Sequence, residues 1–204
     1  MAYNNYGSGF QRTTPIVLNL IIINALVFLA QLLLDKSIQL TNILALHPYN
    51  SGVFKPYQLV THMFAHGGFL HILFNMYALW MFGSILERVW GPKKFLIFYL
   101  VCGLAAGITQ LIFTDDAAVG ASGAIMGLMA AFAYLFPNTE FFIIPIPFPI
   151  KAKYLVALYA AYDLFGGLHP GAIDSIAHFA HLGGLVMGFI LVLIWNKTNK
   201  KTFY

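Results

Sequence analysis

Long apolar blocks without charge set the pattern of this chain. Five stretches, 15–34, 69–86, 95–113, 117–136 and 176–195, hold no Asp, Glu, Lys or Arg and run 18 to 20 residues each. That is the length of a membrane-spanning helix, about 20 residues at 1.5 Å apiece. The first carries Asn19, Asn24 and Gln31 as its polar members. It is too long, too far from the N-terminus and too poorly preceded by basic residues for a signal peptide, and is read as a retained helix. The others end at Glu87–Arg88, Asp115–Asp116, Pro137–Asn138 and Lys197. A sixth helix is predicted over about 150–164, short and weakly hydrophobic, with Lys151 and Lys153 snorkelling at one end and Asp163 at the other. Before it, Pro145, Pro147 and Pro149 forbid a regular helix.

Composition excludes a water-soluble globule. The 204 residues are 60% hydrophobic and only 9% charged, against about 25% charged in ordinary soluble domains. Net charge is +4, but the basic residues are scattered among apolar runs, so a membrane and not nucleic acid is the expected partner. Cys102 lies in an apolar run without a partner for an intrachain disulfide or a cysteine-based metal site. With six spans, Arg12, Arg88, Lys93, Lys94, Lys151, Lys153, Lys197, Lys200 and Lys201 share one side, nine of the 11 basic residues. The positive-inside rule then makes both termini cytoplasmic. The segment 37–68 is a long first loop, apolar enough to pack partly into the outer leaflet. The expected division is a cytoplasmic segment 1–14, a membrane domain 15–196 and a basic cytoplasmic tail 197–204.

Polar side chains at membrane depth are costly and usually functional. Helical rise puts His71 about 24 Å, Asn75 about 18 Å, Ser122 about 22 Å and His181 about 21 Å above the inner boundary. Four polar groups from three helices thus fall near one level. Serine beside an imidazole is a nucleophile with its general base. His71 and Asn75, at i and i+4, share a helix face and can donate to a developing oxyanion. Ser122 lies near a helix start, where free backbone N–H groups add to that function. Gly123-xxx-Gly127 and Gly184-xxx-Gly188 are small-xxx-small faces that let two membrane helices approach, with Gly120 and Gly183 beside the two candidate catalytic residues. Asp174 lies seven residues before His181, about 10 Å along a helix. No acidic third member is evident, so a dyad is expected.

These residues resemble the rhomboid family of intramembrane serine proteases over most of 15–195. Gly120-Ala121-Ser122-Gly123 is similar to GxSG, the run from Ala180-His181 through Gly184 to Gly188 to AHxxGxxxG, and His71 with Asn75 to HxxxN. Glu87-Arg88-Val89-Trp90-Gly91 resembles the end of the family's second helix. The resemblance implies an all-α, six-transmembrane-helix bundle with a long, partly embedded first loop supported by His62 and His66. It implies a Ser122–His181 dyad without metal or cofactor, cleavage of transmembrane protein substrates, and lateral entry past the fifth helix, where Gly166-Gly167 suit a mobile gate. Two positions depart from the pattern. Tyr57-Gln58 stands where many members have Trp-Arg, and Met126 stands where some place a tyrosine against the catalytic histidine.

Other readings fit less well. Serine in a glycine-rich helix is usually packing material, and a membrane histidine is often structural, but neither explains the shared depth. His178 is read as structural. A non-catalytic rhomboid-like protein that binds membrane clients would typically have lost Ser122 or His181. A small transporter predicts broken or charged helices near the midplane. The expectation is therefore a multi-pass serine endopeptidase of the bacterial inner membrane.

Overall fold

The computed structural model describes residues 14–142, 148–169 and 177–198. Helix α1 (Pro15–Ile38) starts on a proline, which suits a first turn whose N–H groups lack intrahelical acceptors. Those donors find one elsewhere: the buried Glu87 carboxylate accepts from the N–H of Ile16 at 3.0 Å and of Val17 at 2.9 Å. Glu87 belongs to α4 (Phe69–Trp90), so the end of one span caps the start of another. α4 contains a π-helical stretch, Leu79–Gly83. Gly83 sits where α4 crosses α1, and a Cβ there would come 3.0 Å from Val17.

Between them the first loop holds the short α2 (Leu40–Leu44), a 3₁₀ turn at Tyr49–Ser51 and α3 (Gln58–Thr61). Gln58 is its hub. The buried side chain accepts from the backbone of His47 and Lys55 at 3.3 and 3.1 Å and donates to Val53 at 3.3 Å. At the position that departs from the family's Trp-Arg, a buried amide thus ties three points of the loop together. His62 Nδ1 donates to the Gln58 carbonyl at 2.8 Å. The backbone of His66 exchanges two hydrogen bonds of 3.0 Å with the Gln31 amide of α1. Burial holds the His62 imidazole below its ordinary pKa. Burial, and then the neighbouring His71, push His66 down to about 4. Both support the loop as neutral rings.

Helices α5 (Pro92–Phe113), α6 (Ser122–Leu135), α7 (Ala152–Leu168) and α8 (His178–Thr198) complete the bundle. Among the described residues four helices, α1, α4, α5 and α8, are long and apolar enough to span a membrane. α6 is a shorter apolar helix of 14 residues. α7 has 17 residues and runs to Leu168, beyond the predicted end at 164. Large apolar side chains such as Leu26, Leu32 and Leu33 lie 60–70% exposed on α1, as a lipid-facing surface requires. The proline-rich stretch before α7 is flanked by a two-residue antiparallel ladder, β1 (Glu140–Phe141) with β2 (Ile150–Lys151). Trp90, Phe98 and Trp195 cluster with ring centroids 4.8–5.6 Å apart, joining the end of α4, the start of α5 and the end of α8.

α6 and α8 meet backbone to backbone. A Cβ on Gly184 would overlap the Gly123 carbonyl, and one on Gly188 would overlap Gly127. Both glycine pairs therefore pack as their spacing predicts. The predicted fourth span differs at its start: helix begins at Ser122, not near 117. Ala118 is held out of the helix by a bridge to Leu46, with N–H···O bonds of 2.9 Å in both directions, and the Gly120 N–H donates to the His62 carbonyl at 2.8 Å. Gly120 then turns the chain at φ +124°, a conformation glycine tolerates.

Candidate active site

The late start of α6 makes Ser122 its first residue, where helical N–H groups are free of intrahelical acceptors. His181 stands in the first turn of α8. The glycine contact between the two helices brings these ends together, and the Ser122 hydroxyl donates to His181 Nε2 at 2.7 Å. The predicted pair, on helices 59 residues apart, is thus in direct proton-transfer distance.

His71, one turn into α4, borders the same place. Its Nδ1 accepts from the Gly67 N–H at 3.3 Å, which leaves the hydrogen of the neutral ring on Nε2. That Nε2 lies 2.8 Å, and Ser122 Oγ 3.6 Å, from the point a Cβ of residue 120 would occupy. A side chain at 120 would fill the space between donor and hydroxyl. The His66 ring packs edge-on against His71 at 5.2 Å, so the first loop fixes the ring from behind. Asn75 is placed differently. Its amide donates to the His71 carbonyl at 2.8 Å, and among the described residues no hydrogen bond joins it to Ser122 or His181. Among the described residues no hydrogen bond reaches its buried Oδ1.

An acidic residue that the sequence reading did not assign completes the cluster. Asp163, on α7 and 1% exposed, accepts from His181 Nδ1 at 3.0 Å and from His178 Nδ1 at 2.9 Å, both through Oδ1. The dyad is expected from the sequence without an acidic neighbour, and here a carboxylate lies within hydrogen-bonding distance of its histidine. Asp174, weighed for that place, lies outside the described residues. Asp163 belongs to a different helix from His181, so spacing along one helix could not find it. Its one signal was an ionisable residue near the end of a predicted span. Met126 is buried in the core.

A Cβ on Gly166 would overlap the His178 ring, and one on Gly167 would come 3.2 Å from Phe179. These glycines let α8 side chains seat closely on α7.

Fold and site together define an integral, multi-pass, all-α membrane protein with a serine–histidine pair at the ends of two glycine-packed helices. The family model described as Rhomboid domain matches residues 53–197, and the chain belongs to the rhomboid family. Among curated relatives, the rhomboid protease GluP of Bacillus subtilis is 32% identical over 134 residues, 65% of this chain and 25% of its own length. The rhomboid protease GlpG of Yersinia pseudotuberculosis is 31% identical over 153 residues, 74% of this chain and 52% of its own. Rhomboid protein 1, mitochondrial, of Saccharomyces cerevisiae is 31% identical over 151 residues, 70% and 43% of the two chains. The chain thus spans a quarter to about half the length of these relatives, and the family includes proteins named as proteases.

Proposed function

We propose that this protein is an intramembrane serine endopeptidase that cuts transmembrane protein substrates in or near the outer half of the bilayer. The observation that carries the reading is the 2.7 Å hydrogen bond from Ser122 Oγ to His181 Nε2. Oγ attacks the scissile carbonyl as its proton passes to Nε2. The carbonyl oxygen becomes an oxyanion, for which the donors on hand are His71 Nε2–H, the first-turn N–H groups of α6 and, after side-chain rotation, the Asn75 amide. The tetrahedral intermediate collapses to an acyl-serine, and His181 returns the proton to the departing amine. Water, deprotonated by His181, then hydrolyses the acyl group and regenerates the serine. Gly120, Gly123, Gly184 and Gly188 permit the geometry, and His66 backs the oxyanion donor.

The membrane is a bacterial inner membrane, with both termini cytoplasmic and the site toward the outside. The charge asymmetry supports this orientation.

The test is cleavage of a single-span reporter with an alanine-rich site by purified protein in liposomes. Wild type should cut it, and Ser122→Ala and His181→Ala should not. Cutting by either variant would refute the assignment.

A further inference from the structure

Asp163 carries an anomaly that packing does not explain. A carboxylate inside a membrane bundle is expensive, and an apolar residue of similar size is often at least as stable. Both hydrogen bonds it accepts fall on Oδ1. Its Oδ2 is buried, and among the described residues no hydrogen bond reaches it. A buried polar atom without a partner calls for an explanation, and a catalytic role is one.

His181 supplies one. Its ring can serve as base only as the tautomer with Nε2 free, and Nε2 is the atom that accepts from Ser122. A carboxylate oxygen 3.0 Å from Nδ1 accepts a hydrogen there and selects that tautomer. The carboxylate's negative charge would also favour the imidazolium that forms as Ser122 loses its proton.

His178 holds the acceptor in place. It donates to the same Oδ1 at 2.9 Å, its ring occupies the notch left by Gly166, and Tyr162 packs edge-on to it at 5.5 Å. The carboxylate thus has one rotamer defined by a rigid neighbour and one oxygen shared with the base.

We infer that Asp163 of α7, steadied by His178, is a positioning residue that fixes the tautomer and orientation of His181. The inference rests on the proposed Ser122–His181 chemistry and adds a third helix to it. The ring nitrogens of His181 face Ser122 and Asp163; among the described residues His178 and His71 are the other titratable groups near them.

The test uses the full chain in liposomes with two variants, Asp163→Asn, which keeps the shape, and Asp163→Leu, which keeps the volume without polarity. The readouts are steady-state cleavage, a thermal melt and the ¹⁵N spectrum of His181, assigned with a His181→Gln control. Both variants should lose kcat by about 10²–10⁴-fold, the upper end being the loss known for such a carboxylate-to-amide change in a serine protease triad. KM should stay within about twofold, since substrate does not touch this group. The His181 signals should move from the Nδ1–H form toward a mixture with Nε2–H. A kcat within about threefold of wild type in both variants overturns the inference. So does a lost kcat that follows a lowered melt while the tautomer is unchanged, because Asp163 would then be structural. A wild type that neither cuts substrate nor takes a fluorophosphonate label overturns the protease reading and this inference with it. A wild type that cuts, matched by its Asp163 variants, overturns this inference alone.

Discussion

Gly184→Ala adds one methyl group at the point where α8 lies against α6. Its Cβ would overlap the backbone carbonyl of Gly123, and a helix backbone cannot rotate aside as a side chain can. Restoring a van der Waals separation of about 3.5 Å requires the two helices to part by well over about 1 Å. Overpacking of this kind costs about 1–3 kcal/mol, and a domain of this size loses about 2–4 °C in Tm per kcal/mol. The catalytic effect should be larger than the stability effect. Ser122 is next to Gly123, and His181 is one turn before Gly184, so the same movement stretches the 2.7 Å hydrogen bond. A 1 Å misplacement of reacting groups costs on the order of 10²-fold. Cleavage of the single-span reporter and thermal melts would be measured for Gly184→Ala and for Gly68→Ala. A Cβ on Gly68 meets nothing within 4 Å, so that variant should match wild type. If Gly184→Ala cuts at the wild-type rate, then the close crossing of α6 and α8 does not position the pair.

Asn75→Ala should cost less than Ser122→Ala, because His71 and the backbone N–H groups remain. One lost oxyanion donor is worth about 10²–10³-fold in kcat; a change in KM alone would make Asn75 a packing or substrate-binding residue. Acidification should loosen the first loop. His66 titrates near its ordinary 6.5 unfolded and at about 4 folded. The unfolded chain therefore binds the extra proton, so stability is complete above pH 6.5 and falls toward pH 4, by at most about 3 kcal/mol. Thermal melts across that range should fall less steeply for His66→Gln; an equal slope would exonerate His66. A cysteine placed at Asp116 should react with an impermeant thiol reagent on whole cells, and one at Lys197 should not, with Cys102 silent because it is buried. Reversed labelling would invert the proposed topology.

Much of this site could be read from spacing alone. Helical rise turned the distance of Ser122 and His181 from their helix ends into one shared depth, and the two glycine pairs identified which helices could touch. Local backbone chemistry was less legible. Ala117–Val119 are as apolar as a span, but pairing of Ala118 with Leu46 and the positive φ of Gly120 delay the helix to Ser122. Gln58 stood out only as a departure from a pattern; its role as loop hub depends on backbone atoms of His47, Val53 and Lys55 that no motif encodes. Asp163 was hidden for a related reason. It lies on the least hydrophobic helix, and its partners His178 and His181 are on the next, so only the packing of α7 on α8 joins them.

The proposed chemistry requires that Ser122 be a nucleophile activated by His181. A fluorophosphonate probe measures this directly, since it reacts with an activated serine hydroxyl and requires no substrate. The wild-type protein in its membrane should be labelled, at a site mapped by peptide analysis to Ser122, and labelling should be lost in both Ser122→Ala and His181→Ala. Absence of labelling in a folded wild type, or labelling that persists in either variant, would contradict it.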